Sequence, residues 1–351
     1  MRRHINIPIF VVHMGCPNQC VFCDQRLISG ESCFSEESVR ADIEKYLAAA
    51  PENADIEIAF FGGSFTGIER GLMLYLLDLA QEYVNRGAVS GIRMSTRPDY
   101  IDEEIIRILG EYTVSTVELG IQSFSDSVLA LCRRGHTAEA SERACTLLKQ
   151  AGIPFAAQMM IGLPGASPAD EMECARRSCA LGASAYRIYP TVVFRGTELA
   201  RMAERGEYRP LTNEEAAERM SYVMEYFDEQ GIPCLRAGLC ESDNLRDPAS
   251  VLAGANHPAI GDLARGEIFL RRMDASLAAG GINPACTVLF RVPAGCASRA
   301  AGMNRRNIRA LCAKYGIKSV KIIENPMLMG YNIIMGILHP QISRKGNRHC
   351  D

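Results

Sequence analysis

Gly15-Cys16-Pro17-Asn18-Gln19-Cys20-Val21-Phe22-Cys23 sets three cysteines at C-x3-C-x2-C within one short segment. Three thiolates on a tight loop can hold three irons of a 4Fe-4S cube and leave the fourth iron open. An open iron is what a bidentate amino-acid ligand requires. The competing chemistry is zinc, which closes with four ligands and would have to recruit His13, Cys33 or Cys350. Uneven spacing, the lack of a second cysteine pair and the aromatic Phe22 before the last thiol favour the cluster. The other eleven of the 14 cysteines are scattered singly and read as buried small hydrophobes.

More segments with chemical potential follow. Phe61-Gly62-Gly63-Ser64-Phe65-Thr66 carries paired glycines, which let a backbone approach a ligand closely. Polar residues recur in Ser95-Thr96-Arg97-Pro98-Asp99, Glu118-Leu119-Gly120-Ile121-Gln122-Ser123-Phe124, Arg133-Arg134-Gly135-His136-Thr137 and Gln158-Met159-Met160-Ile161-Gly162-Leu163-Pro164-Gly165. The competing reading of Glu118 and Arg134 is an internal carboxylate with its salt-bridge partner, since structural networks imitate sites. His257, in Gly-Ala-Asn-His-Pro, reads as a hydrogen-bonded structural histidine.

The elements that must position these residues alternate short apolar runs with longer amphipathic ones. Strands are expected at Ile5–Val12, Ile56–Phe61, Ile92–Ser95, Thr116–Ile121, Phe155–Ile161 and Ala185–Pro190. Between them, Ser35 is a candidate cap for a helix over Glu36–Ala49, stopped by Pro51. Ser167 with Pro168 opens another helix, and Thr212 with Glu215 forms a capping-box pattern for a third. Six β–α units in succession predict an α/β fold, a partial (β/α)6 parallel barrel, with ligands at the C-terminal ends of the strands. The motifs sit there, after the first four strands.

Beyond Arg236 the pattern changes. We expect the barrel over 1–236, a helical connector over 237–285, a small α/β module over 286–330 and a C-terminal tail over 331–351. That module reads as strand Thr287–Val292, helix, turn, helix Asn307–Tyr315 and strand Val320–Glu324, and Gly346–Asp351 is expected to fray.

With 351 residues, 48% hydrophobic and 23% charged, the chain can bury a sizeable core and is not of disordered composition. Its longest apolar stretches, such as Ile5–Val12, fall far short of the ~20 residues that a membrane span needs. No signal-peptide pattern is visible, and many unpaired thiols suit a reducing compartment, so a cytoplasmic protein is expected. The net charge of −3 is divided unevenly. Arg291–Asp351 carries eleven Lys and Arg against two acids, a net +9, which leaves −12 for the rest.

Taken in order, the motifs resemble those of the radical S-adenosylmethionine (SAM) enzymes. Two branches are similar: the radical-SAM domain of the elongator catalytic subunit and, more distantly, oxygen-independent coproporphyrinogen dehydrogenase. The resemblance implies that Cys16, Cys20 and Cys23 bind a 4Fe-4S cluster whose open iron is chelated by SAM. It further implies SAM contacts from Phe22, Gly62, Gly63, Ser64, Ser95, Gln122, Arg134 and Gln158, and leaves the catalytic residue unassigned. Arg187-Ile188-Tyr189-Pro190-Thr191, Arg195-Gly196-Thr197 and Gly206-Glu207-Tyr208-Arg209-Pro210 are similar to a block of the elongator domain, and the likeness covers residues 4–235. No acetyltransferase domain is expected, so the whole elongator reaction does not carry over.

The C-terminal module resembles a KH-type RNA-binding unit, with Ala300-Ala301-Gly302-Met303-Asn304-Arg305-Arg306-Asn307-Ile308 at its turn. Clustered cations there are the electrostatic footprint of phosphate contacts. The implied function is reductive cleavage of SAM, with an electron from an external one-electron reductant, to a 5′-deoxyadenosyl radical that abstracts hydrogen from a substrate. The expected substrate is RNA, specifically a tRNA, gripped through residues 291–348. Two readings compete: a radical-SAM oxidoreductase on a small molecule such as a tetrapyrrole, and a zinc-stabilised RNA-binding protein.

Overall fold

Apolar runs of four to nine residues between Gly, Pro and polar turns become strands in the computed structural model, which describes residues 4–16, 20–29, 34–240, 243–280 and 286–338. Cys33, Cys350 and the expected frayed end Gly346–Asp351 lie outside the described residues. All six expected strands form, the first four with shifted ends, β1 (His4–Phe10), β2 (Asp55–Phe61), β3 (Gly91–Thr96) and β4 (Val114–Gln122), and the last two with the expected ends, β5 (Phe155–Ile161) and β6 (Ala185–Pro190). β7 (Val192–Phe194) turns out of the sheet, and β8 (Cys234–Ala237) adds a seventh strand to it. β9 (Val251–Gly254) pairs antiparallel with β7.

The main sheet runs β1-β2-β3-β4-β5-β6-β8, all parallel, and curls into a partial barrel. Helices fill the crossovers, among them Glu36–Ala49, Arg70–Asn85, Ala138–Gln150, Pro168–Leu181 and Asn213–Glu229. Strand alternation sorts β4: Val117, Leu119 and Ile121 lie on one face, Glu118, Gly120 and Gln122 on the other, and all are buried. The apolar face meets a core with helix residues such as Leu77, Leu148, Met220 and Phe227. Truncating any one of these to Ala would cost about 2–5 kcal/mol.

Helix starts follow local chemistry. Ser167 and Thr212 each complete a capping box, with Asp170 and Glu215 respectively. Ser35 precedes its helix in extended conformation, but its side chain makes no capping bond, contrary to expectation.

The chain divides between Ile260 and Gly261 into two compact units, inside the span expected as connector. In the second unit β10 (Thr287–Val292) is central, with β11 (Ser319–Glu324) parallel on one side and β12 (Ile334–Leu338) antiparallel on the other. β12 lies in the span expected as tail, where alternation against β10 brings Met335 into the unit's apolar cluster. Phe269, Met273, Val288, Phe290, Leu311 and Val320 form the centre of that cluster. Between the helices Ala297–Ala301 and Arg306–Tyr315, Asn304 and Arg305 hold left-handed φ values of 51° and 60°. For a residue with a Cβ that conformation costs about 1–2 kcal/mol.

Candidate functional site

The inner face of the first unit's sheet carries the side chains that alternation turns away from the helices. Asn6, Pro8 and Phe10 of β1, Ser95 of β3, Glu118, Gly120 and Gln122 of β4, Gln158 and Met160 of β5, and Arg187 and Tyr189 of β6 line one cavity. Its volume is about 500 Å³, and its rim includes Cys16, Cys20, Phe22, Cys23, Gly62, Gly63, Arg97 and Arg134. That is the size of a typical small-ligand pocket, about 300–1,000 Å³.

The cysteine loop is seated from several sides. The Val21 N–H donates to the Cys132 carbonyl at 3.1 Å, and the Leu199 N–H donates to the Val21 carbonyl at 2.8 Å. Cys20, Val21 and Phe22 pack in an apolar cluster with Val128, Leu163, Val193 and Tyr208. Toward β2 the fit needs glycine. A Cβ on Gly63 would stand 2.4 Å from the Val11 carbonyl oxygen and 2.5 Å from that of Met14, and one on Gly15 would stand 2.2 Å from the Ser64 carbonyl oxygen. Gly62 adds a φ of +86°. The paired glycines therefore first of all let the cysteine loop lie against the end of β2.

The three thiols open onto the cavity in polar company. Arg134 Nη1 approaches Cys20 Sγ at 3.4 Å, and Gln25 Nε2 approaches Cys23 Sγ at 3.5 Å. Burial, reinforced by Cys20, pushes the Cys23 thiol up to about 12, and burial raises Cys16 as well.

Deeper in the barrel lies a buried ion network. Glu118, 1% exposed, accepts from Arg187 Nη2 at 2.7 Å and from Arg93 Nη1 at 3.3 Å, and Arg93 Nε donates to Glu57 at 2.8 Å. Arg187 Nη1 reaches the Tyr189 hydroxyl at 3.0 Å, and its guanidinium lies 5.3 Å from the Phe61 ring centroid. Burial lowers the Arg187 pKa, but Tyr189 and Glu118 more than restore it, so the guanidinium stays charged.

Seven of the eight expected SAM contacts line the cavity: Phe22, Gly62, Gly63, Ser95, Gln122, Arg134 and Gln158. Ser64 does not. It is fully buried, bonds Thr96 Oγ1 at 3.0 Å and accepts the Arg97 N–H at 3.1 Å, so it braces the turn behind the cavity wall. The alternative reading of Glu118 and Arg134 as an ion pair does not hold: Glu118 is taken by Arg187 and Arg93, while Arg134 donates to the Gly120 carbonyl at 2.8 Å. Cys240 is exposed and lines the cavity rather than the core. Arg187 and Tyr189 stand out in the sequence only as members of the elongator-like block. Their spacing of two is the signal that both face inward.

Two features fit a cluster with a chelating ligand. The thiols share the cavity with buried polar atoms that have no partner, Gln122 Oε1, Arg134 Nε and Arg97 Nη1, so donors and an acceptor await a polar ligand. Gln122 also holds a φ of +67°, a strain of roughly 1–3 kcal/mol of the kind found at ligand sites. Among the described residues no three His, Cys, Asp or Glu side chains stand close enough together to hold a single metal ion, and two of the zinc candidates, Cys33 and Cys350, lie outside those residues. A cube asks less, because each thiolate reaches its own iron. His13, a candidate zinc ligand, has its Nε2 taken by the Gln25 N–H at 3.0 Å.

Residues 10–177 match the radical SAM superfamily, and residues 183–269 match the radical SAM C-terminal domain. An uncharacterized protein of Methanocaldococcus jannaschii is 30% identical over 222 residues, which cover 60% of this chain and 68% of that protein. The tRNA uridine(34) acetyltransferase of Methanocaldococcus infernus is 30% identical over 204 residues, 52% of this chain but 38% of the acetyltransferase. This chain thus spans well under half of that relative's length. In fold it is similar to the archaeal Elp3 of M. infernus with an N-terminal deletion, at a TM-score of 0.58 and 23% identity, over 79% of this chain and 64% of that one. With both matched stretches following one another along the barrel and its continuation, the chain belongs to the radical SAM superfamily, enzymes that work with a 4Fe-4S cluster and S-adenosylmethionine.

Proposed function

We propose that the protein is a radical SAM enzyme of RNA modification that acts on tRNA. The observation that carries the site is the convergence of Cys16, Cys20 and Cys23 with the partnerless Gln122 Oε1 and Arg134 Nε on one cavity. When held by the three thiolates and the cavity residues, the cluster and SAM would supply one-electron cleavage of a carbon–sulfur bond and, through it, hydrogen abstraction from a substrate. The chain's own residues bind and shield. The three thiolates hold the irons, while Arg134 offers a buried cation to a carboxylate and Gln122 an acceptor to an amine or hydroxyl donor. Phe22, Gly62, Gly63, Ser95 and Gln158 would wall the ligand, and the apolar cluster around Cys20–Phe22 backs the cysteine loop. An external one-electron reductant provides the electron.

A tRNA substrate is supported by the acetyltransferase relative and by the charge of the second unit, where Arg305, Arg309, Lys318 and Lys321 are exposed. The test is 5′-deoxyadenosine release from SAM by the anaerobically reconstituted, dithionite-reduced protein, with and without bulk tRNA. Release accelerated by tRNA and weakened steeply by salt supports the reading. Release indifferent to tRNA and salt would point instead to a small-molecule substrate.

A further inference from the structure

Arg97 is a cavity residue outside the set of expected SAM contacts. Its side chain is 2% exposed, yet it lines the same cavity as Cys16 and Cys20 and lies within electrostatic reach of both thiols. Nε and Nη2 donate to the two oxygens of Asp99 at 2.9 and 2.7 Å. Nη1 is buried without a partner. Its backbone N–H donates to Ser64 Oγ, and the Ser64 carbonyl abuts Gly15, next to the first cysteine. Behind the pair, His136 Nδ1 stands 3.9 Å from Asp99.

Leaving a buried charged donor unsatisfied costs about 1–3 kcal/mol or more, which pairing with Asp99 alone does not explain. Such donors beside a metal loop have one evident use: charge and N–H groups near sulfur set the potential of an iron–sulfur cluster. We propose that Arg97 supplies the thiolate-bound cluster with a buried positive charge and a free N–H that raise its reduction potential, and that Asp99 limits how much of that charge the cluster feels. This rests on the cluster assignment. One-electron reduction adds negative charge at a site that already holds three thiolates. A nearby cation therefore stabilises the reduced state more than the oxidised one, and a nearby carboxylate does the reverse.

The two substitutions must shift the potential in opposite senses, which a purely structural pair would not do. The experiment is a potentiometric titration of the anaerobically reconstituted full chain, read by the EPR signal of the reduced cluster, with iron content measured in parallel. Arg97→Met is expected to lower the reduction equilibrium constant at least tenfold, about 59 mV for a one-electron couple, and Arg97→Lys to recover part of that. Asp99→Asn is expected to move the midpoint upward. A fully loaded Arg97→Met protein with an unshifted midpoint overturns the proposal, as do shifts of the same sign in Arg97→Met and Asp99→Asn. Should Arg97→Met fail to take up iron, the midpoints of Arg97→Lys and Asp99→Asn decide in the same way. Wild-type protein without iron would instead sink the cluster assignment itself, and this proposal with it.

Discussion

At position 63 a single methyl group decides whether the cysteine loop can lie against β2. Both atoms that a Cβ would meet, the carbonyl oxygens of Val11 and Met14, are backbone and cannot swing aside. Gly63→Ala should destabilise the protein by about 1–3 kcal/mol and lower iron uptake with little change in helix content, read by iron assay and circular dichroism. Full iron loading in that variant would mean the loop is seated otherwise. His136 supplies a pH-dependent prediction. Burial, then Arg134 and Arg97, lowers its pKa from an ordinary 6.5 to about 3. Between those values the unfolded chain binds a proton that the folded chain refuses, so stability falls as pH falls through that window. The slope is up to about 1.4 kcal/mol per pH unit. Urea midpoints of the iron-free protein at pH 7 and pH 5 should show this loss, and His136→Gln should flatten it. At this scale the cysteine spacing and Gly62-Gly63 are legible in the sequence because both are local. The place of the Ser64 side chain is not legible, because it answers to Thr96 and the Arg97 N–H, at the end of β3 and just beyond it.

Among the elements, β2, β3, β4 and β6 are cross-linked inside the barrel by Glu57, Arg93, Glu118 and Arg187. A buried carboxylate between two guanidiniums is hard to remove, because its loss leaves uncompensated charge. Glu118→Gln should cost about 3–5 kcal/mol in urea unfolding. A loss below about 1 kcal/mol, the range of surface pairs, would show that this carboxylate does not tie the strands. The six strands are legible as apolar runs, and the helix starts at Ser167-Pro168 and at the Thr212–Glu215 capping box as short motifs. That Ser167 also closes a box escapes notice because Asp170 stands where the pattern asks for Glu or Gln. β8 escapes such a reading because four residues carry too little periodicity to distinguish a strand from a turn. The ion network escapes as a set because its members are contributed by four strands, and only folding aligns Glu118 with Arg187.

For the whole molecule the instructive quantity is charge. The excess of cations from Arg291 onward is real, but part of it is answered within the second unit. Arg299 pairs with Asp262, Arg306 with Glu267 and Lys314 with Asp274, all acids on the helix Ile260–Ala279. Counting charge along the sequence cannot foresee pairing with a helix that precedes the basic stretch. Cations left exposed, such as Arg305 and Lys321, are the better candidates for meeting phosphate. If RNA is the substrate, replacing both by Ala should flatten the plot of log affinity against log salt by about two in slope, roughly one for each phosphate no longer neutralised. An unchanged slope in fluorescence anisotropy would remove these residues from the interface. The chemistry of the whole chain hangs on the thiolate loop, which iron and sulfide analysis of oxygen-protected protein beside its Cys20→Ala variant probes at its root. The wild type should carry about four irons and four sulfides per chain and a brown colour that the variant lacks. A colourless wild type, or a variant that retains the full complement, would contradict the assignment.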